Sequence, residues 1–475
     1  MLQLQSAFIW LFSPFSKVNN EQNRKFRYGI IIACLFIMFL NILIGYTNIA
    51  AIDGTTFWGN LIININNMGD LGRAILGMVI LFIVGALSVE SKLQLVKWKW
   101  YIVYTWIALA LIVIISGIFH DIGSGLLATQ FGLLFIFTGL YFIWNNNRDM
   151  AKLFIMVSTA FSILVIAYSL FCMIKYPFIY SITNARYMAT THNPNLLGFF
   201  AAVGCITSLF LLGKKNNKYW TLNSITMGFS VGFLALTLSR SSLLAVIIAL
   251  VIWLITYLIN KKSIKLLIAM ALISLIAFSS FYLITCRGND SLELFSCYSN
   301  SNTVYATDGV SETSTSSRNN IFSRIDDFSN FNQYSSGRIG IWSLYINELN
   351  YSGNDVSLTL PMRVVRYDGS GTLYYQYAHN TVLELAFRSG ISAGILMIMV
   401  LVFSLVFVIR KLINCRNMNY SDLFTIMAII VFIVIGSVES IEFVFSRDVT
   451  LVFYLSLAPL FTGDNIKLNV RNTDA

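Results

Sequence analysis

Charge is scarce in this sequence. Only 11% of its 475 residues are Asp, Glu, Lys or Arg, while 57% are hydrophobic and the mean hydropathy is +0.71. A water-soluble domain carries about a quarter of its residues as charges, so the composition excludes that class and describes a chain whose main solvent is lipid. Metal chemistry lacks its usual carriers too. The six cysteines form neither CxxC nor a Cys/His spacing, and no Asp-rich motif is present, so no metal and no cofactor are expected. A basic stripe interleaved with aromatics is also missing, so the net charge of +10 does not point to nucleic acid. The first apolar run is too long for a secretory signal and has no small-residue cleavage site, which makes it a retained first helix.

Long apolar runs take the place of charge. Twelve recur, at approximately 29–47, 70–89, 100–118, 125–144, 153–174, 195–213, 220–238, 241–259, 265–285, 380–409, 422–440 and 447–463. Each is long enough to cross roughly 30 Å of hydrocarbon as a helix. The expected fold is an all-α polytopic membrane protein of about twelve spans. Spans 1–9 fill residues 1–285, a large outer loop fills 286–379, and spans 10–12 with a tail fill 380–475. Of the 32 basic residues, 20 fall in the two termini and in alternate loops, mostly as lysine. The positive-inside rule therefore places both termini in the cytoplasm.

The remaining basic residues are Arg73, Lys175, Arg186, Arg240, Arg287, Arg318, Arg324, Arg338, Arg363, Arg366, Arg388 and Arg447. Eleven of the twelve are arginine, whose planar fork matches phosphate and carboxylate. For Arg318, Arg324, Arg363 and Arg366 the simpler expectation is pairing with outer acids such as Asp326, Asp327 and Glu348. The first half of the outer loop is Ser/Thr/Asn-rich and apolar-poor, as expected of a flexible or glycan-facing segment. Cys286 and Cys297, eleven residues apart on the outer side, are candidates for a disulfide. Further on, "SSGRIGIWSLYINELN" sets Ile339, Trp342, Tyr345 and Ile346 on one face of an amphipathic helix near 338–350, with Arg338 at its start.

Two further stretches set polar groups against apolar spans. "LTLSRSSLLA" holds Arg240 at the outer interface, either in a polar pocket with Ser239, Ser241 and Ser242 or snorkelling to headgroups. "YAHNTVLELAFRSG" places His379 before a helix on which Asn380, Glu384 and Arg388 stand four apart. His379 there is either a helix cap or a proton acceptor, and Glu384 is placed to pair with Arg388.

Taken in order, "SR" opening a span, "GR" followed by Trp in a large outer loop, and "HN" before an apolar helix with Gly390 and Gly394 resemble the bacterial O-antigen polymerase and O-antigen ligase superfamily of membrane glycan transferases. "RYMATTHNPNLLG", residues 186–198, is similar to the family's Arg and Asn-Pro-Asn segment, which adds Arg186, Asn193 and Asn195. The likeness covers roughly residues 186–409. It implies a GT-C-like glycosyltransferase in the bacterial cytoplasmic (inner) membrane with its active site at the outer face. Many members have an acid two positions before the glycine of the His-Asn helix. Here Arg388 stands there, which suits an anionic glycan better than a neutral one.

The resemblance implies a glycan donor on polyprenyl pyrophosphate, a glycan acceptor, membrane lipid as surroundings, and a chain-length co-polymerase as a further partner of the polymerase branch. Arg240 and Arg338 suit the pyrophosphate charge that grows as the anomeric bond breaks. His379 suits the acceptor hydroxyl's proton. Arg186, Asn193, Asn195, Asn380, Glu384 and Arg388 would complete the substrate contacts. Polymerisation of lipid-linked repeats is the favoured activity, because the "HNPN" segment looks more like that branch. A ligase moving glycan to a lipid core is the alternative. A lipid-linked glycan flippase is a second one, although it calls for polar groups near the bilayer midplane.

Overall fold

Hydrocarbon offers a backbone N–H or C=O no partner, so apolar runs must close their hydrogen bonds within helices. The computed structural model describes residues 2–48, 57–90, 92–120, 124–147, 149–176, 182–183, 186–214, 217–259, 263–286, 338–355, 358–366, 369–375, 377–441 and 444–462. The helices are α1 (Leu2–Val18), α2 (Arg24–Gly45), α3 (Phe57–Asn66), α4 (Gly69–Ser88), α5 (Trp100–His120), α6 (Ser124–Phe131), α7 (Thr138–Asn146), α8 (Met150–Lys175), α9 (Pro194–Leu212), α10 (Trp220–Thr237), α11 (Arg240–Ile259), α12 (Ile264–Thr285), α13 (Arg338–Asn347), α14 (Thr381–Ser389), α15 (Ile391–Ile413), α16 (Tyr420–Gly436) and α17 (Asp448–Ser456).

Among the described residues, nine helical segments are long and apolar enough to cross a membrane: α2, α4, α5, the rod from α6 to α7, α8, α9, α11, α12 and α15. The chain is a multi-pass membrane protein. The other three expected spans coincide with α10, α16 and α17, and the last two are shorter apolar helices. Within the α6–α7 rod, a π-helical turn at Gly132–Phe137 leaves the Leu133 carbonyl to accept from Trp106 Nε1 at 3.1 Å and Thr138 Oγ1 at 3.1 Å.

α9 is buried on nearly every side and forms the centre of the bundle, with α8, α10, α11 and α16 packed around it. α12 buries only Met270, Ala277, Phe281, Tyr282 and Thr285, so it belongs to the lipid-facing periphery. Lysine-rich connectors gather at one end, where Gln94 bonds to Asn146, Trp98 bridges to Thr462 and Lys411 pairs with Asp422, and Arg186 and Arg338 meet through Asn195 and Glu439 at the other.

Two expectations are corrected. The span expected at 380–409 is two helices, because Gly390 at φ +91° and ψ 158° breaks it between α14 and α15. That conformation is open essentially to glycine alone, and a Cβ there would lie 2.3 Å from the Tyr351 carbonyl oxygen. Two short hairpins accompany the helices among the described residues. β1 (Ile182–Thr183) pairs antiparallel with β2 (Arg186–Tyr187), and β3 (Leu360–Arg366) with β4 (Gly369–Tyr375). Finally, α13 buries Ile341 and Tyr345 rather than one Ile339–Trp342–Tyr345–Ile346 face, and Ile346 is exposed. The Cys286–Cys297 pairing and the roles of Arg318 and Arg324 fall outside the described residues, as does the Ser/Thr-rich segment.

Candidate active site

The short connector after α16 carries a carboxylate, Glu439, on which three distant segments converge. Arg338 Nη2 donates to Glu439 Oε1 at 2.5 Å, Asn195 Nδ2 donates to the same oxygen at 2.9 Å, and His379 Nδ1 lies 3.3 Å from Oε2. Arg186 joins through Asn195, with its Nη2 donating to Asn195 Oδ1 at 2.5 Å. Side-chain exposure is 11% for Glu439, 21% for Arg338 and 37% for His379. The carboxylate is thus inside the site while the imidazole edge is reachable from outside.

Local structure explains each placement. Asn193 caps α9, its side chain accepting the Asn195 N–H at 2.8 Å, and Pro194 occupies the first turn, where no N–H is needed. This turns Asn195 towards Arg186 and Glu439. Arg186 Nε donates at 2.7 Å to the Thr237 carbonyl, one of the last-turn acceptors that a helix end leaves open. The next residue, Leu238, is left-handed at φ +51°, ending α10 so that Ser239 and Arg240 can start α11. A Cβ on Gly198 of α9 would lie 2.6 Å from Ser239 Cβ, so only glycine lets α9 approach this turn. Arg240 thereby stands three residues beyond the carbonyl that Arg186 holds.

α13 brings Arg338 in by packing Ile341 and Tyr345 against Ala378 and Phe387, with the Tyr345 and Phe387 ring centroids 4.6 Å apart. The residue after Ala378 is His379, itself left-handed at φ +51°. For a non-glycine residue that conformation costs about 1–2 kcal/mol. Ala189, Leu238 and His379 are the non-glycine residues with positive φ among those described. All three border this cluster, which is where backbone strain tends to collect around function. Asn380 caps α14 by accepting the Leu383 N–H at 3.0 Å and donates to the Ser437 carbonyl at 2.9 Å. Thr381 Oγ1 donates to the Glu439 carbonyl at 2.9 Å and accepts the Ile441 N–H at 3.1 Å. The connector holding Glu439 is therefore stitched to the start of α14.

The residues expected from sequence divide accordingly. Arg186, Asn195, Arg338 and His379 meet at one carboxylate. Asn193 and Asn380 serve helix starts beside it, and Arg240 opens the adjoining helix. Glu384 and Arg388 are buried, at 1% and 6% exposure, and pair with each other at 3.0 Å. Glu439 was absent from the expected set. Its signal was an acid close to the end of an apolar span, in "IVIGSVES", the kind of costly group that calls for a named partner. Nearby, His192 is held below the usual imidazole range, first by partial burial and then by the Arg447 charge.

With Glu439 ionised, Nδ1 of His379 carries the ring proton and Nε2 presents a lone pair, the arrangement of a general base. Among the described residues Arg338 donates to Glu439, and its guanidinium is a planar fork of the kind that matches an anion. Residues 225–398 match a family model described as O-antigen ligase. Over that stretch the chain is similar to the O-antigen ligase family. The match spans Arg240, Arg338, His379, Asn380, Glu384 and Arg388, and leaves Arg186, Asn195 and Glu439 outside it. No curated protein matches the chain.

Proposed function

We propose that this protein polymerises polyprenyl-pyrophosphate-linked oligosaccharide repeats at the outer face of the bacterial cytoplasmic membrane. The observation that carries the reading is the meeting of Arg338, His379 and the Arg186–Asn195 pair on Glu439. It sets anion-binding forks beside a histidine oriented as a base. Arg240 and Arg338 hold the donor pyrophosphate and offset the charge that grows on it as the anomeric bond breaks. His379 Nε2 accepts the proton of the attacking sugar hydroxyl. Glu439 fixes the tautomer and stabilises the imidazolium formed, as the orienting carboxylate does in a nucleophile–histidine–carboxylate triad. The pyrophosphate leaves with the polyprenyl carrier.

The arginine-rich end of the bundle is the outer one, because the lysine-rich connectors gather at the opposite end. The cluster's place at a bundle end favours a transferase over a transporter, which holds its substrate near the midplane. The part taken by Arg186 and Asn195 favours the polymerase branch, since the segment 186–198 carried that likeness. The ligase reading has the description of the matching family model in its favour. Surface glycan length with and without the gene decides between them. Single repeats left on the lipid carrier support the polymerase, long chains left unattached to a lipid core support the ligase, and an unchanged glycan overturns both.

A further inference from the structure

We infer that Glu384 and Arg388 form a buried clamp that positions His379 and Glu439 and makes no contact with substrate. The inference rests on His379 acting as proton acceptor in the proposed transfer. Glu384 lies in the first turn of α14, and its side chain folds back over the helix start. Glu384 Oε2 accepts the Ala378 N–H at 2.6 Å, and Ser440 Oγ lies 3.4 Å from the same oxygen. One carboxylate oxygen thus touches the residue before His379 and the residue after Glu439. These flanking positions fix the two groups that must meet at Nδ1.

The left-handed backbone of His379 supplies the need for such a clamp. A strained conformation persists only where its surroundings determine it from several sides. Asn380 and Thr381 hold the following residues to the connector, and the Glu384–Ala378 bond holds the preceding one. Arg388 supplies the counter-charge, because a carboxylate at 1% exposure keeps its charge only when paired and hydrogen-bonded. Arg388 Nε donates to Glu384 Oε1 at 3.0 Å and Nη1 donates to the Asp355 carbonyl at 2.8 Å. Its own carbonyl lies against Gly353, where a Cβ would come within 2.3 Å of the oxygen. A sugar has no route to atoms enclosed in this way. Arg388 therefore needs no anionic glycan to account for it: its guanidinium serves a carboxylate of its own helix.

The test is Glu384→Gln on detergent-purified protein with lipid-linked repeats, normalised to folded protein. The amide oxygen satisfies either Ala378 or Arg388, and its NH2 group opposes the other. Turnover should fall by about 10², the scale of a displacement near 1 Å at a reacting group, with KM for the lipid-linked donor unchanged. Adding Arg388→Met removes the opposing donor at similar volume, frees the amide oxygen for Ala378, and should restore most of the turnover. In a His379→Ala background, Glu384→Gln should cost nothing more. Hydrogen exchange in the peptide containing Ala378 should speed up in Glu384→Gln and slow again in the double variant. If Glu384→Gln does not fold, Arg388→Lys keeps the charge and should show the same split between turnover and KM in weaker form. Unchanged turnover, a rise in KM alone, or an equal further loss in the His379→Ala background would overturn the clamp. Full activity of His379→Ala overturns the base instead, and Ala378 exchange still reports on Glu384.

Discussion

Replacing Glu439 by Gln keeps the shape of the central side chain and changes what it can offer. The carboxylate accepts from Arg338 and Asn195 on one oxygen and faces His379 Nδ1 with the other. If the amide oxygen stays with Arg338 and Asn195, the NH2 group donates to Nδ1. The ring proton then moves to Nε2, which loses the lone pair needed to accept a proton. The same carboxylate-to-amide change beside a catalytic histidine lowers turnover by about 10⁴ through the wrong tautomer. If the amide flips, two donors meet its NH2 group, and each unsatisfied group costs about 1–3 kcal/mol. The first orientation therefore predicts a fall in turnover per folded molecule of about 10² to 10⁴, and the second, which keeps the tautomer and loses only the charge that stabilises the imidazolium, a smaller one. The loss of stability should be smaller, about 1–3 kcal/mol, because Arg338 is partly solvated and loses only part of a buried pair. The assay is transfer from a labelled lipid-linked repeat, read as product length on a gel, with folded protein measured by size exclusion and thermal unfolding. Glu439→Asp keeps the tautomer and should fall less far. Turnover of Glu439→Gln equal to that of the unaltered protein would falsify the assignment of Glu439 as the orienting group.

At His379, Gly relieves the left-handed backbone while Ala does not. His379→Gly should thus unfold near the temperature of the unaltered protein, strain relief of about 1–2 kcal/mol offsetting glycine's entropy of about 0.5–1 kcal/mol. Both variants should bind donor yet lose about 10² or more in transfer; near-normal transfer per folded molecule in either would remove His379 from the chemistry. Arg240→Lys should be almost as inactive as Arg240→Ala, because a point charge cannot engage two phosphate oxygens; full activity in the Lys variant reduces Arg240 to an interface anchor. Gly390→Ala should lose about 2–5 kcal/mol through its positive φ and the close Tyr351 carbonyl, seen as poor folded yield, and normal yield argues against the break between α14 and α15. Reporter fusions after Lys215 and Lys262 should read as cytoplasmic and one near Thr315 as external; an external signal at Lys262 reverses the site's sidedness.

The membrane helices were legible because hydropathy has one dominant cause, the cost of unsatisfied backbone in lipid. The break at Gly390 was not, since "FRSGISAG" reads as one apolar helix until the Tyr351 carbonyl is seen to occupy the space of a side chain. In the site, Arg338 and His379 were legible from short motifs that set polar groups beside apolar residues, and Arg186 from the likeness carried by the segment 186–198. Glu439 was not, because it stands in none of those motifs and its partners lie 60 to 244 residues away. Glu384 and Arg388 were visible as a helical pair, but their burial depends on the loop carrying Gly353 and Asp355, which spacing along α14 does not reveal.

The convergence on Glu439 also sets a clock on biogenesis. Asn195 and Glu439 are 244 residues apart, so at ribosomal speed roughly 12–50 s pass between their appearances. Until then the growing chain, already threaded into the bilayer, holds Arg186 and Asn195, and later Arg338 and His379, without the carboxylate on which they meet. On the proposed reading, the site stays incomplete until α16 has been delivered and the connector behind it has folded onto α14. Chains interrupted after α15 should insert normally and escape any surveillance that senses only hydrophobic fit, while contributing nothing to the surface glycan.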